Sequence, residues 1–385
     1  MNTPYYLFDQ EHFIKNISDF DVALSKSFEH HEIAYSVKTN PIPYIIKTAY
    51  DCGCMIEVTS FDEYRISRHM GIPINRIVYN GPYKDKETFI EAVNEGAKVN
   101  LECEREIDWL KDCKKDSRVG IRINVDLKTI SPDDAKPEED GSRFGASYEN
   151  GDLLSRIHRI ISCGVRLEGI HVHKTSKTRS ADVYYRISQY ISSILNEIKC
   201  DLEYIDIGGG YYGGIDAYGI PSYVDYANAI KDGLGKWNSK MLIVEPGSAA
   251  IAASMSFAMS IIDKKMVGDK CYCVVDGSRI DTDPFFHKNT YVYSVIRKHE
   301  NNKRVPMQYI SGFTCLENDI LFSISDENEI DVGDIIEIQR IGAYSISNTP
   351  NFIRMLPAIY LKNDITKVIR RRWTAEDFMQ GCYYQ

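Results

Sequence analysis

Lys38 closes the short apolar run Ala34-Tyr35-Ser36-Val37 and is followed at once by Thr39-Asn40-Pro41. A lysine there points out of the end of a strand. It is either an ordinary solvated lysine or, held neutral and still, an amine that forms a Schiff base. Later stretches bear on the choice. His171-Val172-His173 sets two imidazoles at i and i+2, on one side of a strand. Both can be satisfied core histidines, the reading favoured for His171, and either can reach the strand end. Gly208-Gly209-Gly210 follows an apolar run, and successive glycines let backbone N–H groups approach a phosphate with no Cβ in the way. Glu245 ends Met241-Leu242-Ile243-Val244 and precedes Pro246-Gly247. An acid leaving a buried strand is costly unless paired, so it is a salt bridge, a turn cap or a site carboxylate. Cys315, in Gly312-Phe313-Thr314-Cys315, and Tyr344, in Gly342-Ala343-Tyr344, complete the set.

The elements that must position these residues alternate. Strand-like runs at 33–37, 55–58, 77–79, 99–101, 119–125, 166–172, 203–207 and 241–245 are separated by helical patterns at 42–50, 61–69, 86–95, 105–113, 152–162, 182–198 and 222–235. A helical pattern at 10–29 precedes them. Strands alternating with helices predict a parallel sheet with helical crossovers, and about eight units predict a closed (β/α)8 barrel. An open doubly wound sheet is the alternative. After residue 253 strand-like runs appear without long helices, at 271–275, 291–295, 306–310, 335–339 and 358–361. That texture predicts an antiparallel β domain. The segment 126–143 holds two prolines and many acids, and reads as a loop: a plain surface insertion or a lid over a barrel mouth.

Composition narrows the class. The chain has 385 residues, 43% hydrophobic and 26% charged, with a formal net charge of −9. Two domains are expected, and neither nucleic acid nor an anionic membrane suits that charge. No apolar run approaches the roughly 20 residues of a membrane span. Met1-Asn2-Thr3-Pro4 lacks a basic region followed by an apolar core, so no secretory signal is expected. The ten cysteines are scattered, and the close pairs Cys52/Cys54 and Cys271/Cys273 lack zinc-site spacing, so no metal site is expected. Reduced thiols in a cytoplasmic protein are the simplest account.

Taken in order and at these separations, the motifs resemble the fold type III decarboxylases that use pyridoxal 5′-phosphate, the group of diaminopimelate, ornithine and arginine decarboxylases. The resemblance covers nearly the whole chain. It implies an alanine racemase-like architecture, with a barrel over residues 10–253 and a β-sandwich or β-barrel domain built from residues 1–9 and 254–385. It also implies a cytoplasmic homodimer with shared active sites that releases CO2 from an amino acid, as a carboxy-lyase. By the same resemblance Lys38 carries the cofactor, Glu245 holds its pyridine nitrogen and His173 stacks on its ring. Ser176, Gly209, Gly210, Gly247, Ser248 and Tyr344 fall at cofactor-binding positions, and Cys315 returns a proton from the partner's β domain. Arg122 and Glu57 match positions near the cofactor, though the family usually has aspartate at the latter.

Departures cluster around the far end of the substrate. Ser248 stands where the family commonly has arginine, removing one charge-assisted phosphate contact of about 1.5–3 kcal/mol. Leu316 follows Cys315 where the relatives carry an acid for the substrate's distal ammonium. Thr175 and Lys177 flank Ser176 where the family's usual glycine is absent. An ordinary diaminopimelate or ornithine specificity is therefore not expected; an amino-acid conjugate suits the altered pocket. Two other readings stay open. An amino-acid racemase is opposed by Glu245 and Cys315. An inactive regulatory relative is opposed by Lys38 and favoured by Ser248 and Leu316.

Overall fold

The computed structural model describes residues 2–136, 142–174, 176, 178–198, 200–214 and 219–383. The chain divides into two compact units, Ile14–Ala250 and Met1–Phe13 with Ile251–Gln385. The helix Gln10–Ser25 crosses the first boundary, which therefore falls a few residues later than the change of texture at residue 10.

Strand β1 (Tyr5–Phe8) belongs to the second unit; β2 (His31–Ser36), β3 (Met55–Ser60), β4 (Ile77–Tyr83), β5 (Lys98–Leu101), β6 (Arg118–Arg122), β7 (Arg166–His171), β8 (Tyr204–Asp206) and β9 (Met241–Val244) form the first. These eight are parallel and close into a barrel, with His31 of β2 paired to Leu242 of β9. The open-sheet alternative is thereby excluded. Helices of the crossovers start where the side-chain chemistry allows: Ser60, Asp85 and Ser180 each accept a hydrogen bond from the backbone N–H three residues on. Such a cap contributes about 1 kcal/mol.

The barrel interior is built in layers. Ala34, Met55, Val78, Tyr204 and Ile243 form one buried apolar cluster. Side chains repeat every second residue along a strand, so the next layer toward the C-terminal ends is Ser36, Glu57, Asn80, Asp206 and Glu245, all buried. Large and small residues alternate around the lower layer. A Cβ on Gly169 would lie 2.2 Å from the Tyr204 ring, and one on Gly120 2.2 Å from its hydroxyl. The two glycines leave the space that ring occupies. Segment 126–136 is not structureless: Leu127–Ile130 is a short helix with Leu127 buried, and Asp134 accepts from Ser180 Oγ at 3.4 Å. Residues 137–141 of that predicted loop lie outside the described residues, as do Thr175 and Lys177.

The second unit contains β1 with β10 (Met255–Val267), β11 (Lys270–Val275), β12 (Val292–Ile296), β13 (Arg304–Ser311), β14 (Ile320–Asn328), β15 (Ile335–Gln339), β16 (Ala358–Leu361) and β17 (Asp364–Arg370). Their order is β14-β13-β11-β10-β1-β16-β17, with β15 pairing both β10 and β12. The sheet is antiparallel-rich but not purely antiparallel, because β1–β16 and β11–β13 run parallel. β1 is inserted between two strands of opposite sense, antiparallel to β10 and parallel to β16.

Candidate active site

The functional side chains of the barrel lie at the C-terminal ends of its strands, where barrels build their sites. Lys38 sits in the tight turn Val37–Thr39 directly after β2. Its Nζ donates to Glu57 Oε2 at 2.8 Å and to Ser36 Oγ at 2.8 Å. Its side chain is one-third exposed, whereas Glu57 is buried. Ser36 Oγ also donates to Glu57 Oε2 at 2.6 Å. The acid on β3 therefore meets the lysine directly, and its extra methylene relative to aspartate is accommodated.

Glu245 follows β9 and is almost fully buried. Asn80 of β4 donates its side-chain amide to Glu245 Oε1 and, at 3.2 Å, to Glu57 Oε1. On the other side His171 Nε2 lies 3.5 Å from Glu245 Oε2. His171, Asp206 and Glu245 offer atoms within 4.8 Å of one another. Burial alone would push the Glu245 carboxyl up, but the adjacent His171 and then Lys38 and His173 outweigh it and hold the group well below the usual carboxylate range. Burial and the neighbouring Glu245 charge push Asp206 well above that range. The two carboxyls are thus shifted in opposite directions, as two close buried acids are. Asp206 also accepts from Gly208 N at 2.8 Å.

His173, just past β7, is half-buried. Its Nδ1 accepts from Gly209 N at 2.9 Å, which fixes the neutral tautomer with a proton on Nε2. Burial first, then the cations Lys38 and Arg122, lower its pKa to about 3. Arg122 ends β6, pairs with Glu102 at 2.8 Å and donates to the His173 carbonyl at 3.2 Å. It thereby braces the turn that carries His173. Ser176 is buried, and its Oγ accepts from Arg179 N at 2.8 Å. Gly208 has φ +68°, and a Cβ on it would lie 2.6 Å from the Val172 carbonyl. A Cβ on Gly209 would meet the Glu245 carbonyl at 2.3 Å, and one on Gly247 would meet Thr39 Oγ1 at 2.1 Å. At these three places glycine is required by space. Gly210 has φ +97°, and Ser248 opens the short helix Ser248–Ile251.

Lys38, Glu57, Arg122, His173, Ser176, Gly209, Gly210, Glu245, Gly247 and Ser248 all belong to the barrel unit. Cys315 and Tyr344 belong to the second. Cys315 is exposed on the connection between β13 and β14. Asp319, buried, holds that connection: it accepts from Arg279 N at 2.8 Å, Ser278 Oγ at 3.0 Å and Thr314 N at 3.2 Å, and its carbonyl accepts from Gly312 N at 2.8 Å. Leu316 is 37% exposed. Tyr344 is exposed with φ +56°.

Three residues of this arrangement, Asp206, Asn80 and Asp319, were not singled out from sequence, and a fourth, His171, was read as a satisfied core histidine. His171 is buried and its Nε2 faces Glu245 at 3.5 Å, while neither ring nitrogen makes a hydrogen bond among the described residues, so it faces the site rather than being the satisfied core histidine expected. Asp206, Asn80 and Asp319 carried no motif of their own. Asn80 and Asp206 do share one signal: each is a polar residue two positions beyond a buried apolar one along its strand.

Residues 13–252 match the family model described as "Pyridoxal-dependent decarboxylase, pyridoxal binding domain". A diaminopimelate decarboxylase of Aquifex aeolicus is 26% identical over 388 residues, covering 96% of this chain and 89% of the relative. The L-glutamyl-[BtrI acyl-carrier protein] decarboxylase of Niallia circulans is 23% identical, covering 98% of this chain and 93% of the relative. Among solved structures, the diaminopimelate decarboxylase of Helicobacter pylori complexed with L-lysine superposes with a TM-score of 0.85 at 23% identity, over 99% of this chain and 96% of that one.

Proposed function

Because the chain belongs to the pyridoxal-dependent decarboxylase family, we propose that it decarboxylates an amino acid or an amino-acid conjugate at a site centred on Lys38. The observation that carries this reading is the network in which Lys38 meets Glu57, and Asn80 joins Glu57 to the ionised Glu245.

The residues present fit pyridoxal 5′-phosphate. An ionised carboxylate suits a protonated pyridine nitrogen, and Glu245 stays ionised despite burial. The neutral His173 ring suits an aromatic face. The Gly208–Gly210 turn lets the backbone come close to a phosphate with no Cβ in the way, although the N–H groups of Gly208 and Gly209 already donate to Asp206 and His173, and Ser176, whose oxygen already accepts from Arg179, retains its hydroxyl hydrogen to donate. When bound, the cofactor supplies an electron sink for the pair left behind as CO2 departs.

The chain's own groups do the rest. Glu57 accepts from Lys38 Nζ and so orients the amine that carries the cofactor. Glu245 keeps its charge on the ring-nitrogen side of the site. Arg122 braces His173 through its carbonyl. Cys315 Sγ delivers the proton that replaces the lost carboxylate, a task a thiol performs near neutral pH. Visible absorbance on mixing the purified protein with the cofactor, together with CO2 release from a panel of amino acids and conjugates, tests the reading. A colourless protein would leave only the inactive regulatory relative.

Leu316 supports a substrate without a free distal ammonium, since leaving such a charge unpaired and buried costs about 3–5 kcal/mol. Asp283 does not replace the missing acid: its Oδ2 already accepts from Arg279 at 3.0 Å and Lys288 N at 2.9 Å. The named substrate of the Niallia circulans relative, a carrier-bound glutamyl group, supports a conjugate. Ornithine and lysine are expected to be turned over at least about a hundredfold less efficiently than the true substrate. Comparable kcat/KM values for ornithine would show that Glu317 does the pairing.

In this reading the protein is a cytoplasmic homodimer and Cys315 serves its partner's Lys38. None of the ten cysteines forms a disulfide, and no described helix is long and apolar enough to cross a membrane. Mixing Lys38→Ala with Cys315→Ala subunits under exchange conditions is expected to restore about a quarter of wild-type activity, because about half the dimers are mixed and each carries one intact site. No recovery despite demonstrated exchange would reject the shared site.

A further inference from the structure

A directed chain of hydrogen bonds runs from the lower barrel layer into the upper one. The Tyr204 hydroxyl lies 2.7 Å from Asn100 Oδ1, Asn100 Nδ2 lies 2.8 Å from Asn80 Oδ1, and Asn80 Nδ2 reaches Oε1 of both Glu57 and Glu245. All five residues are buried. The carboxylate end forces the direction: an ionised carboxylate only accepts. Asn80 must therefore turn its NH2 toward the two acids and its oxygen toward Asn100. Asn100 must then donate to Asn80, so its oxygen faces Tyr204, whose O–H has to donate. The same logic would otherwise leave an amide orientation ambiguous. Space for the bond is built in, since a Cβ on Gly120 would lie 2.0 Å from Asn100 Oδ1.

We infer that Asn80 is a positioning residue that couples the carboxylate holding Lys38 to the carboxylate facing the cofactor ring, and that Asn100 and Tyr204 fix its orientation. One amide group donates to both acids at once. It holds the two acid side chains close together by donating to one oxygen of each. Losing it leaves two buried acceptors short of a donor, which disturbs the groups those acids face. A purely structural asparagine would change stability and leave the titration of the bound cofactor alone.

This inference rests on the proposed cofactor site, and the test separates the two. Wild-type protein, Asn80→Asp and the near-isosteric Asn80→Leu are titrated with pyridoxal 5′-phosphate, and the absorbance of each complex is followed against pH. Thermal unfolding checks the fold. Failure of wild type to bind the cofactor would overturn the site itself. With wild type loaded, Asn80→Asp is expected to shift the absorbance midpoint by about one pH unit, because an acid replaces the amide that donates to the two carboxyl groups facing Lys38 and the cofactor ring. Asn80→Leu is expected to weaken cofactor binding about tenfold, the value of a buried hydrogen bond to a charged group. If one variant fails to fold, the other decides. A folded variant with wild-type midpoint and wild-type affinity would overturn the inference.

Discussion

Lys38→Ala is expected to lose decarboxylation by roughly 10⁴-fold or more, as removal of a residue that carries the reacting group does, while remaining folded. The separation of the two effects follows from the local contacts. Lys38 lies at the solvent-facing edge of the network, one-third exposed. Its removal deletes one donor to Glu57, yet Ser36 at 2.6 Å and Asn80 at 3.2 Å still donate to that acid. The buried carboxylate is thus not stranded, and the unfolding midpoint should move by only a few degrees. Steady-state CO2 release and thermal unfolding of the same preparation check both halves. Activity within tenfold of wild type would place the essential amine elsewhere.

Glu245→Gln is expected to lower kcat by about 10²–10³-fold, the usual effect of deleting one preorganised charge from a closed site, with cofactor still bound through Lys38 and the glycine-rich turn. Asp206→Asn makes the contrast. Asp206 and Glu245 are both buried carboxyls in one cluster, but burial and the Glu245 charge push Asp206 up, toward its uncharged form. An amide there mimics that form and should leave kcat within about tenfold. Measuring kcat for both variants decides whether Glu245 is the charged member of the pair; equal losses, or a larger loss in the Asp206 variant, would reverse the assignment.

The barrel was legible from sequence because each βα unit announces itself. Runs such as Met241-Leu242-Ile243-Val244, buried along most of their length, stand against helices with a marked start, such as the one capped by Ser60. Lys38 and Glu245 were legible because each is a reactive type at a strand end with proline close behind it, and His173 because the family resemblance chose it from the His171/His173 pair. Strand β10 was not. Its first half pairs with β1 and β15, its second half with β11, and its burial changes from continuous to outward-facing midway, so no single period runs along its length. Asn80 and His171 escaped for a different reason. Their significance lies in what another strand brings opposite them, Glu245 in both cases, and pairing across a closed barrel leaves no local trace. The position of Asp319 behind Cys315 is of the same kind: its partners Ser278 and Arg279 lie about forty residues away in the chain.

That Lys38 is the residue that holds the cofactor is tested directly by borohydride reduction of the loaded protein, followed by proteolysis and mass mapping. A pyridoxyl label is expected on the peptide containing Lys38 and absent from the Lys38→Ala protein. A label on any other lysine, such as the buried Lys84 that pairs with Glu106 at 3.2 Å, or no label on a protein that binds the cofactor, would contradict it.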